Sequence, residues 1–296
     1  MKPHLPVDGQ PMSLSSRRLR GPLKLAVAAV LVLGTGAAQA APASGDLKKT
    51  DAYYADPAHP NISGLWRPAP GQRVVFTVEG KTLPGPDEHG HLTSLPYKPA
   101  WKAVVDARYA ADLKGEPYGD PSDACWPSGT FADYLADPSG MKITETAGRV
   151  QLLFERQTTV RRIYYDGRKH LEGDYLIPDA KGDSIARWEG DTLVADTIGV
   201  RPEFTLGYRL PHSDQVHFVE RFRRTAPDTL QIQVTITDPV ALAKPVKATL
   251  TYKLAFDQPF VEANCTDTSD VVIDANLVVR PNTQTNRKHY GFDLPN

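Results

Sequence analysis

Val246-Lys-Ala-Thr-Leu-Thr-Tyr-Lys-Leu-Ala-Phe256 changes character at every step. Val246, Ala248, Leu250, Tyr252, Leu254 and Phe256 fall on one side, and Lys247, Thr249, Thr251 and Lys253 on the other. Successive side chains of a strand point to opposite faces, so this run has one apolar face and one wet face, the mark of antiparallel sheet buried on one side. Leu230–Thr237 repeats the pattern: Leu230, Ile232, Val234 and Ile236 oppose Gln231, Gln233, Thr235 and Thr237. Working back along the chain, Lys142–Thr146, Val150–Thr158, Val160–Tyr165, Ser184–Glu189, Thr192–Ile198 and Val216–Arg224 also read as strands. Turn-forming stretches such as Ala147-Gly148, Asp166-Gly167, Glu189-Gly190-Asp191 and Ala226-Pro227-Asp228 separate most of them. Strands in this order predict a mainly β fold, an antiparallel meander over 140–265 that closes into a β-barrel. Closure leaves no unpaired edge, which favours it over the alternative, a β-sandwich.

The rest of the chain is organised around that unit. Of 296 residues, 26 are proline and 22 glycine, and prolines crowd the segment 41–139. Proline removes a backbone donor and blocks helix interiors, so a loop-rich region is expected. Within it, Asn61–Trp66 and Val74–Val78 read as short strands. One helix is expected from Pro99 to Leu113, with Trp101, Val105, Tyr109 and Leu113 on its packing face. Residues 266–296 form a C-terminal tail. Residues 1–40 have the three parts of a signal peptide. Arg17, Arg18, Arg20 and Lys24 precede the apolar run Leu25–Leu33, and Ala38-Gln39-Ala40 supplies the small-x-small cleavage pattern. A periplasmic or secreted product is the expectation.

Charge and cysteines narrow the function. The whole chain carries 34 basic and 35 acidic residues. A leader of 1–40 takes five basic residues and one acidic residue with it, leaving 29 against 34. A mildly acidic protein lacks the basic excess that neutralises phosphates, so nucleic acid is not an expected partner. The apolar run of the leader is too short for a membrane span, and no other stretch resembles one. In an oxidising compartment the two cysteines, Cys125 and Cys265, are expected to form a disulfide. No HExxH, CxxC, G-x-S-x-G, P-loop or G-x-G-x-x-G pattern is present, so neither a metal nor a cofactor is expected.

The run Ser184-Ile-Ala-Arg-Trp-Glu-Gly-Asp-Thr-Leu-Val-Ala-Asp-Thr197 resembles the GRWEGDTLVVDT-like motif of a group of uncharacterised secreted bacterial β-rich proteins. Arg162-Ile-Tyr-Tyr-Asp-Gly-Arg168 with His170, and His217-Phe-Val-Glu-Arg-Phe222 followed by Leu230 to Pro239, are similar to further segments of the group. The resemblance spans roughly residues 60 to 265 and implies a calycin- or lipocalin-like barrel. Near its end the group carries Cys-His-Glu-x-Asn, whereas here Cys265 is followed by Thr266-Asp267-Thr268. The histidine and glutamate of that pattern are missing from this chain.

Glu220 is the informative anomaly. In Val216–Phe222 the apolar face reads Val216, Phe218, Glu220, Phe222, which points a carboxylate into the interior. A desolvated carboxylate is costly unless paired, and an unpaired one is driven toward the proton-transfer range. Its role is either a general acid or base lining the barrel, or half of a buried ion pair with Arg161, Arg162 or Arg187. Glu155 and Arg161 flank a tight turn, so either can face inward. Arg161 is the candidate stabiliser of developing negative charge, and His212 or His217 the candidate proton relay. Tyr165, Trp188, Asp196, Phe218 and Tyr252 are candidate ligand contacts. Together these residues predict an exported barrel that binds a small, largely apolar organic molecule. A catalytic version would run cofactor-independent acid–base chemistry of isomerase, cyclase or lyase type. The alternatives are a non-catalytic periplasmic carrier of hydrophobic ligands and a structural envelope protein.

Overall fold

The structure is a computed structural model. It describes residues 58–71, 74–115, 126–135, 139–255 and 257–262, together with the backbone of 271–273 and 279–281. The leader, Cys125, Cys265 and their expected bridge lie outside the described residues, as does most of the tail.

The alternating runs form the strands of one closed barrel. In chain order they are β4 (Met141–Thr146), β5 (Arg149–Phe154), β6 (Val160–Tyr164), β7 (Asp183–Glu189), β8 (Thr192–Ile198), β9 (His217–Ala226), β10 (Thr229–Thr237) and β11 (Val246–Leu254). A ninth strand, β1 (Gly64–Pro68), comes from the Pro-rich segment and closes the ring. Its Trp66 lies opposite Met141 of β4 on one side and Leu254 of β11 on the other. Backbone freedom matters at the start of β1: Gly64 has φ 144°, and a Cβ there would stand 2.5 Å from Leu254 Cδ1. Two further strands, β2 (Val75–Val78) and β3 (Lys81–Thr82), extend the sheet from β11, whose edge serves β1 at 252–254 and β2 at 247–249. In the tail, β12 (Val271–Ile273) pairs antiparallel with β13 (Val279–Pro281).

The inward set follows the predicted alternation. Ile143, Leu152, Ile163, Leu193, Phe222, Leu230, Ile232, Val246 and Ala248 are all fully buried, and burying a side chain of Val, Leu, Ile or Phe stabilises by about 1.5–3 kcal/mol. The meander has one irregular seam. β6 and β7 run parallel and share a single register pair, Tyr164 with Ile185. The residues between them make a long excursion, so Asp166-Gly167 is a local turn tied by Asp166 and Arg168 and not a two-residue hairpin between strands. β5 also stops earlier than its sequence suggests, at Phe154, because Gln157 (φ 57°) and Thr158 (φ 46°) turn the chain.

Helix α1 (Pro99–Asp112) buries Trp101, Val105, Arg108 and Tyr109, while Leu113 caps it and is 61% exposed. Its polar ties reach connecting segments: Tyr109 Oη donates to the Tyr208 carbonyl at 2.9 Å, and Arg108 Nη1 to the Arg209 carbonyl at 2.9 Å. The segment 128–135, which ends in the 3-10 turn Ala132–Leu135, enters the barrel with Phe131 and Tyr134 in the core. The Tyr134 ring meets Phe154 and Phe222 edge-on at 5.8 and 6.5 Å. This segment is an internal plug.

Candidate functional site

Glu220 points into the barrel, and Arg161 is the partner. Register explains the choice. Along β8, β9 and β10, Glu220 sits between Ala195 and Val234, while Arg161 of β6 lies opposite Leu152. Both charged side chains are fully buried. Arg161 Nη1 donates to Glu220 Oε1 at 2.8 Å, and Nη2 donates to Oε2. Ser184 of β7 and Thr197 of β8 fill the space between the two strands. Arg161 Nη2 donates to Thr197 Oγ1 at 2.7 Å and to Ser184 Oγ at 3.1 Å, and the two hydroxyls are 3.0 Å apart. From the plug, Tyr134 Oη donates to Glu220 Oε1 at 2.8 Å and accepts from Arg161 Nη1 at 2.9 Å.

The electrostatics of this cluster are those of a closed pair. Burial opposes the Arg161 charge, but the Glu220 carboxylate and Tyr134 outweigh it and hold the guanidinium above its ordinary range. Burial, reinforced by Glu220, pushes the Tyr134 phenol well above its usual value, so it is a neutral donor. All three Arg161 nitrogens and both Glu220 oxygens are spent on protein groups. Chemically this set holds strands and plug together, and Tyr134 is its outermost member.

The other predicted residues fall into separate places. Glu155 is buried but accepts from Arg67 at 2.7 Å on each oxygen, from Gly140 N–H at 2.7 Å and from Val261 N–H at 2.8 Å. Burial pushes its pKa up; the two backbone donors and Arg67 more than reverse this and leave it lowered. It ties β1 to β5 and is not part of the Arg161 cluster. His212 is buried in a loop, its Nδ1 2.8 Å from the Ser213 carbonyl, and burial holds its pKa down. His217 and Asp196 lie together on the outer face of the barrel, Nε2 to Oδ1 at 2.8 Å. His170 joins them, 3.0 Å from the same Asp196 oxygen and 2.7 Å from Asp183. Among the described residues, no group of three or more His, Cys, Asp or Glu is arranged to hold a metal ion. Tyr165 and Trp188 do come together, but around His59, which stacks on Trp188 at 3.9 Å and meets Tyr165 edge-on at 5.8 Å. Phe218 is core, and Tyr252 donates to the Tyr134 carbonyl at 2.9 Å.

Of two cavities, the first is lined by Tyr134 and Leu135 of the plug and the second by Trp126 and Pro127 just before it, and neither has Glu220 or Arg161 in its wall. The first, about 360 Å³, opens where β11 passes from β1 to β2. Tyr134, Leu135, Tyr208, Leu250 and Tyr252 form its apolar side, and Asp87 and Glu88 its polar side. The second, about 460 Å³, lies between the β5–β6 turn and the residues before β7, with Trp126, Phe204 and Lys181 among its lining. Beside it Lys181 pairs with the buried Asp133 of the plug. Sequence reasoning missed Tyr134, Asp133 and Lys181. They lie in segments without periodicity, and the only available signal was Phe131-Ala-Asp-Tyr-Leu135, an aromatic island between Pro127 and Pro138.

Fold and lumen together define a closed β-barrel of nine strands with an internal plug and, among the described residues, one α-helix. No protein-family model matches the chain, and no curated protein matches it. Among solved structures it is similar to a secretory abundant heat soluble protein from Ramazzottius varieornatus at 9% identity and a TM-score of 0.30, over 66% of this chain and 95% of that one. A second protein of that name and organism, number 4, is 15% identical with a TM-score of 0.29, over 65% and 94%. A mutant of the fluorescent protein UnaG is 13% identical with a TM-score of 0.30, over 66% and 97%. These are remote likenesses of outline, and the closed barrel stands on its own strand register.

Proposed function

We propose that the protein is an exported binder of a small, largely apolar organic molecule, taken into the cavity between β11 and the plug. The observation that carries this reading is the cavity itself. At about 360 Å³ it falls within the size range of small-molecule sites, roughly 300–1,000 Å³. Its aromatic and aliphatic side would bury the ligand body, and Asp87 and Glu88 would orient a polar end. The leader-like pattern of residues 1–40 supports export to the periplasm or beyond. Among the described residues no helix is long and apolar enough to cross a membrane.

An isomerase, cyclase or lyase requires Glu220 to meet a substrate. The saturation of its oxygens by Tyr134 and Arg161 favours binding without turnover. The test is a fluorescence titration with the neutral apolar probe N-phenyl-1-naphthylamine, on the protein and on Leu250→Trp, which fills the cavity. Saturable binding weakened about tenfold or more in the variant is expected. Binding that ignores Leu250→Trp sinks the site. If a compound that co-purifies is turned over by the protein but not by a folded Glu220→Gln variant, the enzyme reading replaces this one.

A further inference from the structure

The second cavity contains a lysine of unusual setting. Lys181 lies in the turn before β7, with its side chain only 11% exposed. Its Nζ donates to the Ser128 carbonyl at 2.7 Å and to Asp133 Oδ2. Two of its three donor positions are therefore fixed on the plug side. Asp133 is fully buried, takes a second hydrogen bond from Thr159 Oγ1 at 3.3 Å, and has an Oδ1 with no hydrogen-bond partner among the described residues. Trp126, Pro127, Val160, Ala180 and Phe204 supply apolar wall beside the lysine, lining an open cleft of about 460 Å³.

We propose that Lys181 captures the carbonyl group of an aldehyde or ketone with an apolar body as an imine inside this cavity. The chemistry follows from the pair. Burial pushes the Asp133 carboxyl up and the Lys181 ammonium down, so both act to move one proton from Nζ to Oδ2. The transfer leaves both buried groups uncharged, which a desolvated site favours over two separated charges. The other charged groups that bear on it are Arg156, Arg161 and Asp179. The freed amine turns its lone pair to the cavity and bonds to the carbonyl carbon. The carbinolamine hydroxyl carries one of the two amine hydrogens, Asp133 returns its proton to that hydroxyl, and the carbonyl oxygen leaves as water. The other amine hydrogen stays on the nitrogen of the protonated imine, which pairs with the Asp133 carboxylate. No oxidant or reductant takes part. The site is independent of the cavity at β11, so either proposal can fail without the other.

The test is to incubate the protein with 2-naphthaldehyde and sodium cyanoborohydride at neutral pH and map the reduced adduct by peptide mass spectrometry. A normal lysine is almost wholly protonated at that pH, so Lys181 is expected to label on the order of tenfold faster than the exposed Lys244 and Lys253. Ala180→Phe, which fills the cavity without touching the ion pair, should bring Lys181 down to their rate. Lys181→Met risks the fold by stranding Asp133, so the wild-type map decides. Label spread evenly over exposed lysines, or Lys181 labelling unchanged in a folded Ala180→Phe variant, overturns the proposal.

Discussion

Glu220 and Arg161 show how a residue is constrained by desolvation. Each loses its water in the lumen, and each is tolerable only because the other, with Tyr134, Ser184 and Thr197, replaces that water. Removing one charge leaves the other buried and uncompensated. Glu220→Gln should therefore lower the unfolding free energy by about 3–5 kcal/mol, read from urea denaturation midpoints. The double replacement Arg161→Met/Glu220→Leu should cost less than that single change, because no charge stays stranded. His212 gives a pH dependence of definite sign. Burial lowers its folded pKa below the ordinary 6.5, so the unfolded chain takes up the proton first. Its contribution to stability is complete above about pH 6.5 and is lost as pH falls from there toward the folded pKa. Urea titrations at pH 7.5 and 5.5 should show a loss on acidification that is smaller in His212→Gln.

At the level of elements, the seam between β6 and β7 is the weak joint of the barrel. Its strands share one register pair, whereas β9 and β10 share nine. The side chains compensate: Arg161 of β6 reaches Ser184 of β7, Thr197 of β8 and Glu220 of β9, so one guanidinium spans the seam. Local opening follows the density of backbone pairing and burial. Native-state hydrogen exchange should be faster for amides of β6 and β7 at the seam than for central β10, and Ser184→Ala should accelerate it further. The sequence read these strands correctly from their period of two, but it made Asp166-Gly167 a simple turn between neighbouring strands of a meander, whereas β6 and β7 run parallel. Asp-Gly favours positive φ in many turns, and nothing in those two residues records how far the chain travels before the next strand.

For the molecule as a whole, the cysteines and the lumen pose different questions. If Cys125 and Cys265 are bridged, thiol titration of denatured, unreduced protein should find no free thiol. Reduction should then lower stability by up to about 4–5 kcal/mol on the chain-entropy account. As for the fold, alternation along eight strands determined a barrel-like meander, because a period of two commits one face of every strand to burial. The same alternation exposed Glu220, a carboxylate set between Phe218 and Phe222 on the apolar face of its strand. What only the tertiary structure decided is where distant segments meet. β1 closing the ring, Arg161 as the partner among three arginines, and the plug that brings Tyr134 to Glu220 and Asp133 to Lys181 all depend on contacts across tens of residues. Periodicity records which way a side chain faces. Which group it faces is set by strand register and by an aperiodic segment folding inward, and neither leaves a local trace in the sequence.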